Sequence, residues 1–292
     1  MKKLFSLYIL LICFVGSYGQ INPMGSMYFQ NQYLANPAMA GMDAGYHLSG
    51  ALKAQWTGID GAPLMETISL DYGSKNEKVG LGVLFYNETA GVIGRTSLKA
   101  TYAYHLKLSQ SNVMVDFGLS GGFSNESINW NKFLGDASDV SLTNFNERKM
   151  YFDGDFGIAL RTNRITIQGA LPDMKRYFAR DIERTIIDRS TFFLAGSYKF
   201  LRPDKVLNTI EPKVAYRAML NYKDIYDVGV NLKFYENNLI MSGIYHTTGS
   251  ATIGAGTTYK NKLSILCQYT TNTSALSSYS NGEVEMSLRY GF

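Results

Sequence analysis

The chain is poor in the residues that brace small exported proteins and in the runs that thread membranes. Of its 292 residues only 2 are cysteine, 6 proline, 3 histidine and 2 tryptophan. Cys13 lies in an apolar leader, so the chain beyond it holds one thiol, Cys267, and no internal disulfide is expected. His47, His105 and His246 fall in separate segments, and none has a second ligand at metal-like spacing. Gly135-Asp136-Ala137-Ser138-Asp139 and Asp153-Gly154-Asp155 lack the acidic ladder and distal glutamate of a calcium loop. No glycine-rich turn opens a helix and no Gly-x-Ser-x-Gly elbow occurs, so neither a nucleotide cofactor nor esterase chemistry is expected. The net charge of +4 gives no reason to expect nucleic acid as a partner. No apolar run beyond the leader reaches the roughly eighteen residues of a membrane helix. A membrane location would therefore require a closed barrel, the one sheet that pairs all its backbone groups in lipid.

What the chain has in abundance is aromatic residues and glycine: 21 tyrosines, 16 phenylalanines and 28 glycines. That mixture favours strands. Segments with period-two alternation recur over 46–55, 64–73, 78–87, 95–107, 112–123, 152–161, 164–171, 190–200, 209–218, 225–235, 239–247, 250–259, 262–271 and 282–292. In 98–106, for instance, Leu98, Ala100, Tyr102, Tyr104 and Leu106 alternate with Lys99, Thr101, Ala103 and His105. One face suits lipid and the other water. The connections after the second, fourth, sixth, tenth and twelfth segments are short; those after the third, fifth, seventh and thirteenth are long, and 201–208 is a mild exception. Short turns at one end and long loops at the other mark an all-β, antiparallel up-and-down transmembrane barrel of about fourteen strands. A soluble sandwich, the alternative, gives no reason for such alternation and needs a second sheet over its aromatic faces. The polar residues Lys53, Thr67, Ser69, Asp71, Lys99, Asp116, Asp153, Asp155, Asn231 and Lys233 are predicted to face the lumen.

Three regions divide the chain. Lys2 and Lys3, an apolar run from Leu4 to Val15 and the small residues Ser17 and Gly19 predict a signal peptide over 1–19, cleaved near Gly19/Gln20. A lipoprotein reading of Cys13 meets Leu11 and Ile12 where small residues belong. Residues 20–45 form a short periplasmic, plug-like segment and 46–292 the barrel, placing the protein in contact with outer-membrane lipid. Loop 124–151 is polar with Trp130, Phe133 and Phe145 embedded, which suits a packed surface loop. In 172–189, Met174, Phe178, Ile182 and Ile186 recur every four residues among charges, predicting a short amphipathic helix. It serves either as a lid over the barrel mouth or as a docking helix.

Gln30-Asn31-Gln32-Tyr33-Leu34-Ala35-Asn36-Pro37-Ala38-Met39-Ala40-Gly41 precedes the first strand, and Gln55-Trp56-Thr57-Gly58-Ile59-Asp60-Gly61-Ala62-Pro63 joins it to the second. With Ser277-Ser278-Tyr279-Ser280 and the final Arg289-Tyr290-Gly291-Phe292, these stretches resemble the PorP/SprF family of type IX secretion system membrane proteins of Bacteroidetes. Met39, where the family more often has an aromatic, and the charged stretch 172–189 depart from the pattern. The resemblance implies a non-enzymatic accessory without a cofactor. It would help secrete or anchor specific cargo, such as gliding adhesins, in partnership with other type IX components. Asn36, Pro37, Ala38, Gly41, Gln55, Trp56, Gly58, Gly61 and Pro63 are its motif residues. Pro37 fixes one dihedral and keeps Asn36 out of the helical region. This makes the motif either a bend tucked into the periplasmic mouth or a simple strand-entry turn. Gly58, Gly61 and Pro63 shape a turn, and Trp56 suits the headgroup level. A transporter of hydrophobic small molecules resembling the FadL family shares the strand number, the plug and an early Asn-Pro-Ala, and is the alternative. An open porin comes third.

The last segment, 282–292, alternates up to Phe292, which suits a strand closing against 46–55. Tyr290 and Phe292 are expected to serve as a girdle and as the signal that barrels show their assembly machinery.

Overall fold

The computed structural model describes residues 26–56, 58–108, 113–128, 150–178, 190–202, 206–219, 223–271 and 281–292. Alternation becomes a wall of antiparallel strands: β1 (Gly45–Gln55), β2 (Leu64–Gly73), β3 (Val79–Ala90), β4 (Ile93–Lys107), β5 (Met114–Ile128), β6 (Tyr151–Arg161), β7 (Ile165–Leu171), β8 (Ser190–Tyr198), β9 (Phe200–Leu201), β10 (Leu207–Met219), β11 (Ile225–Phe234), β12 (Leu239–His246), β13 (Ser250–Tyr259), β14 (Leu263–Thr270) and β15 (Glu283–Gly291). The two residues of β9 continue β8 beyond a break at Lys199, and both pieces pair with β10. The result is a closed antiparallel barrel of 14 strands. It closes where β15 meets β1, in register from His47 opposite Gly291 to Gln55 opposite Glu283. Among the described residues no helix is long and apolar enough to cross a membrane. Closure satisfies the wall's backbone groups without water, as lipid requires.

Parity decides which side each residue faces. Leu48, Leu52, Ile68, Leu70, Leu98 and Leu119 are exposed on the outer face, while the ten polar positions predicted for the lumen all lie inside. Aromatics collect in two outward bands. Tyr46 and Tyr72, with ring centroids 4.7 Å apart, belong to the end with tight turns. Phe123 with Phe152, and Tyr216 with Tyr226, belong to the end with long loops. Such bands sit at the two membrane interfaces, and short turns are periplasmic.

Several strand boundaries differ from the sequence reading. The connection after β3, expected to be long, is the two-residue turn Gly91-Val92, because β3 extends to Ala90 and β4 begins at Ile93. Asn87 donates to Glu66 (3.0 Å) and accepts from Thr96 (2.9 Å) on the outward face of this extension. Beyond the bilayer both faces of a strand meet water, so alternation lapses where the strand does not. β5 likewise runs to Ile128, past its expected end at 123. The eighth strand, expected over 190–200, breaks at Lys199. Of the helix expected in 172–189, the turn Lys175–Phe178 is described. The leader 1–19, the cleavage site, Trp130, Phe133, Phe145 and Ser277-Ser278-Tyr279-Ser280 lie outside the described residues.

The core of the molecule lies in the lumen. Residues 26–43 make three single 3-10 turns, Met27–Phe29, Gln32–Leu34 and Pro37–Met39, and most of this segment is buried by the wall around it. Tyr28, Phe29 and Ala35 pack on Phe193, Ala170, Ala215 and Ile244. Residue 43 sits at the periplasmic end beside Arg289, and Ser26 reaches Glu285 near the outer end. The segment expected to tuck into the mouth therefore climbs through the lumen, and we call it the plug.

Candidate functional site

The plug is threaded through a frame of paired charges, and both can be built upward from its bends. Asn36 takes an extended conformation before Pro37, and its Oδ1 accepts from the backbone N–H of Ala38 at 2.9 Å. That turn lets the small Ala38 press on the wall, where glycine is required. A Cβ on Gly118 would lie 2.2 Å from the Ala38 nitrogen, and one on Gly157 would lie 1.9 Å from Asn36 Oδ1. The Asn36 amide then donates to Gln168 Oε1 (3.1 Å) and to the Ile158 carbonyl (3.2 Å). Gly41 ends the motif at φ +66°, with its α-carbon against Tyr72 and Gly80 backbone, where a side chain has no room.

Three clusters hold the plug. Nearest the periplasm, Asp116 receives Arg161 Nε at 2.5 Å and faces His105 Nδ1 at 2.7 Å, while His105 Nε2 meets the carbonyl of Ala40 at 3.1 Å. Midway, Tyr33 shares a 2.8 Å hydrogen bond with Thr101, and Lys213 donates to the Phe29 carbonyl at 2.5 Å. Burial pushes the phenols of Tyr28 and Tyr33 above the ordinary tyrosine range. Toward the outside, Asp227 gathers Arg217 Nη2 (2.8 Å), His246 Nδ1 (2.6 Å) and the Tyr28 hydroxyl, which donates to it. His246 Nε2 passes the chain on to Thr252 (2.8 Å), which meets Ser26 Oγ at 2.9 Å. The Ser26 N–H donates to the carboxylate of Glu285 at 2.7 Å, and Lys53 pairs with Glu283 at 3.1 Å. Charges this deep are tolerable because each has a partner.

A further network catches the loop after β7. Lys99 reaches Asp155 (2.6 Å) and Asp173 (3.2 Å), and the N–H groups of Asp173 and Lys175 donate to Asp155 and Asp153, both at 2.9 Å. The start of 172–178 is therefore tied down into the outer lumen. Among the described residues no group of histidine, cysteine and carboxylate side chains suits a metal ion. Chemically the described contacts bind the plug to the wall; the hydroxyl–imidazole–carboxylate chain of Thr252, His246 and Asp227 is buried, at 1%, 1% and 0% exposure.

The family described as "Type IX secretion system membrane protein PorP/SprF" matches residues 17–290 of the chain. The chain belongs to the PorP/SprF family. No curated protein matches it. Several solved barrels resemble this PorP/SprF chain at low identity. The Ralstonia pickettii toluene transporter TbuX has TM-score 0.56 and 12% identity, over 95% of this chain and 96% of its own. The P. putida toluene transporter TodX has TM-score 0.52 and 10% identity, over 94% and 99%. The Acinetobacter baumannii outer membrane protein Omp33 has TM-score 0.51 and 7% identity, over 86% and 100%. At such identities the likeness is one of fold.

The residues on which the sequence resemblance rests fall into two groups that the structure keeps apart. Asn36, Pro37, Ala38 and Gly41 belong to the plug. Gln55, Trp56, Gly58, Gly61 and Pro63 shape the outer connection from β1 to β2: Gln55 Nε2 donates to Glu283 at 2.6 Å, the Trp56 N–H to Gly282 at 2.8 Å, and the Gln55 N–H to Pro63 at 3.0 Å. Gly61 accepts from the Gly91 N–H at 2.8 Å, tying this loop to the β3–β4 turn, and Gly58 faces Asn281. Tyr290 and Phe292 stack edge to face, 4.9 Å between centroids, at the periplasmic end of the seam. Sequence reasoning put His105 on the polar face of its strand but missed the aspartate partners of the histidines, which lie on adjacent strands at in-register positions such as His105 opposite Asp116. It also missed Tyr28 and Tyr33, whose one signal was an aromatic-rich stretch outside any strand.

Proposed function

We propose that this PorP/SprF chain is a plugged, non-enzymatic outer-membrane barrel that anchors or helps secrete specific type IX cargo, gliding adhesins being the kind implied, at the cell surface. The carrying observation is the lumen itself: residues 26–43 are bonded to the wall from the Arg289–Asp43 pair up to Ser26 and Glu285, which supports an anchor over a conduit. In this reading the leader directs export, assembly runs through the barrel machinery with Tyr290 and Phe292 as signal, and the outer connections meet cargo and other secretion components. The Gln-Trp loop and the tied-down segment at 172–178 give that surface its shape.

The transporter reading draws on the fold shared with the two toluene transporters. Against it stand the polar lining of the lumen and the position of an apolar hollow. That hollow, about 490 Å³ around Gly169 between Phe156, Ile158, Phe192 and Leu194, opens on the lipid face of β6–β8.

Photo-cross-linkers at Met150 and Tyr177, both exposed at the outer end, test the proposal in living cells. Capture of an exported surface protein at either position is expected. Cross-links confined to lipid and to the barrel itself would remove the docking role.

A further inference from the structure

Among the described residues, Lys53, Lys99, Arg161 and Arg217 pair with carboxylates inside the lumen, and one region there is richer in cations than in carboxylates. Between the plug and the inner faces of β1, β2 and β11–β15 lies a cavity of about 470 Å³, with Asn237, Asn261 and Lys262 of the periplasmic turns on its rim. Its cationic lining is Lys233, Lys262 and Arg289; His47 also lines it, with Nδ1 3.7 Å from Asp71. Among the described residues Asp43 is the one carboxylate that lines it, and it is already engaged with Arg289 at 2.8 Å while lying 64% exposed. Among the described residues no carboxylate stands within ion-pair distance of Lys233 or Lys262, whereas Lys53, Lys99, Arg161 and Arg217 each have one. Ser49 is 7% exposed, lines the same cavity and has a hydroxyl with no hydrogen-bond partner. The opposite side is apolar, made by Met27 and Leu34 of the plug with Ile240 and Leu266 of the wall.

We infer that this periplasmic cavity is a binding site for a small amphiphilic anion, a carboxylate or phosphate oxygen group carried on a short apolar body. Excess positive charge around a concave site concentrates anions, and a volume of this size is typical of small-molecule pockets. The anionic head would lie toward Lys233 and Arg289 with the Ser49 hydroxyl as a neutral donor, and the body against Met27 and Leu34. Such a donor set favours an ionised group over an alcohol, because hydrogen bonds to charged partners are the stronger ones. The inference stands on the cavity's lining and is independent of the secretion role.

Calorimetric titration of the full chain in zwitterionic micelles tests it, with butanoate and butyl phosphate as probes and 1-butanol as the neutral comparator. At least one anion is expected to bind with Kd at or below about 1 mM, and 1-butanol at least ~10-fold more weakly. The tighter of the two anions names the head group. Arg289→Gln and Lys233→Gln should each weaken the anion by roughly 5- to 10-fold, the loss expected for one charge-assisted contact. Because Arg289 also holds Asp43, Lys233→Gln guards against a loosened plug. Lys75→Gln, on the exposed β2–β3 turn outside the cavity, should change nothing. Absence of binding by both anions, equal binding of 1-butanol, unchanged affinity in both cavity variants, or an equal loss in Lys75→Gln would each overturn the site.

Discussion

At Asp227 the cost of burying a charge is met by three donors at once. Arg217, His246 and Tyr28 surround a carboxylate that is 0% exposed, and Arg217 also lies 5.4 Å from the centre of the Tyr28 ring. Removing the guanidinium leaves the anion to two weaker donors, so Arg217→Met is expected to destabilise the barrel by about 3–5 kcal/mol. Tyr28→Phe removes one donor and should cost about 1–3 kcal/mol. Urea unfolding of both variants in micelles measures the order, and a larger loss in Tyr28→Phe would contradict the charge-centred account. Tyr33 supplies a pH test. Burial raises its phenol, so the folded protein keeps a proton that the unfolded chain releases above about pH 10. The stabilisation is complete below that pH and falls as pH rises through the folded value. Unfolding midpoints should therefore drop less steeply above pH 10 in Tyr33→Phe than in the parent. At this scale the sequence was half legible. Alternation told which side Asp116, Asn231 and Lys53 face, since parity is a local property. The partner of each charge was hidden, because it depends on the register between strands far apart in the chain.

Elements were legible wherever a membrane imposes two unlike solvents, and less so elsewhere. β2 and β13 end where alternation ends, whereas the upper part of β3 is half-exposed on both faces and that of β5 turns the polar Asn125 and Ser127 outward, so neither carries such a mark. Phe192-Phe193 hides a second irregularity, since Phe193 turns inward to meet Tyr28 at 5.7 Å between ring centroids. The plug was the least legible element. Its conformation is irregular, and it is held by contacts with strands distant in the chain, so no local period betrays its path. Its seat on β5 and β6 can be tested alone. Gly157→Val adds atoms where even a Cβ would meet Asn36, yet leaves the lipid face of β6 unchanged. The variant is expected to form a barrel that still resists heat in detergent while the segment around Asn36 becomes open to proteolysis. A plug as protected as in the parent would show that the close approach at Gly157 does not hold it.

For the whole molecule, strand number and plug belong to one argument. Side chains alone fill barrels of about eight strands, and barrels of 16–18 leave an aqueous channel. A wall of 14 strands falls between, and here residues 26–43 occupy the interior that the wall cannot fill. Family membership was legible in short motifs, and the structure shows what those stretches do. Asn36 to Gly41 fits the inner wall closely, and Gln55 to Pro63 ties the outer ends of β1, β3 and β15 together. The electrical consequence is direct. In planar bilayers the intact chain should give no stable conductance steps, whereas deletion of residues 26–43 removes the pairings at Asp43, Phe29, Tyr28 and Ser26 together and should produce steady steps of nanosiemens order. Salt dependence sharpens the test. A lumen stripped of the plug keeps Lys53, Lys99, Lys213 and Arg217 on its wall beside Asp116, Asp155, Asp227 and Glu285, so selectivity between cation and anion should be weak and should fade further as the Debye length shrinks. Open steps from the intact chain would mean that the plug leaves the pore spontaneously, and the anchor reading would lose its physical basis.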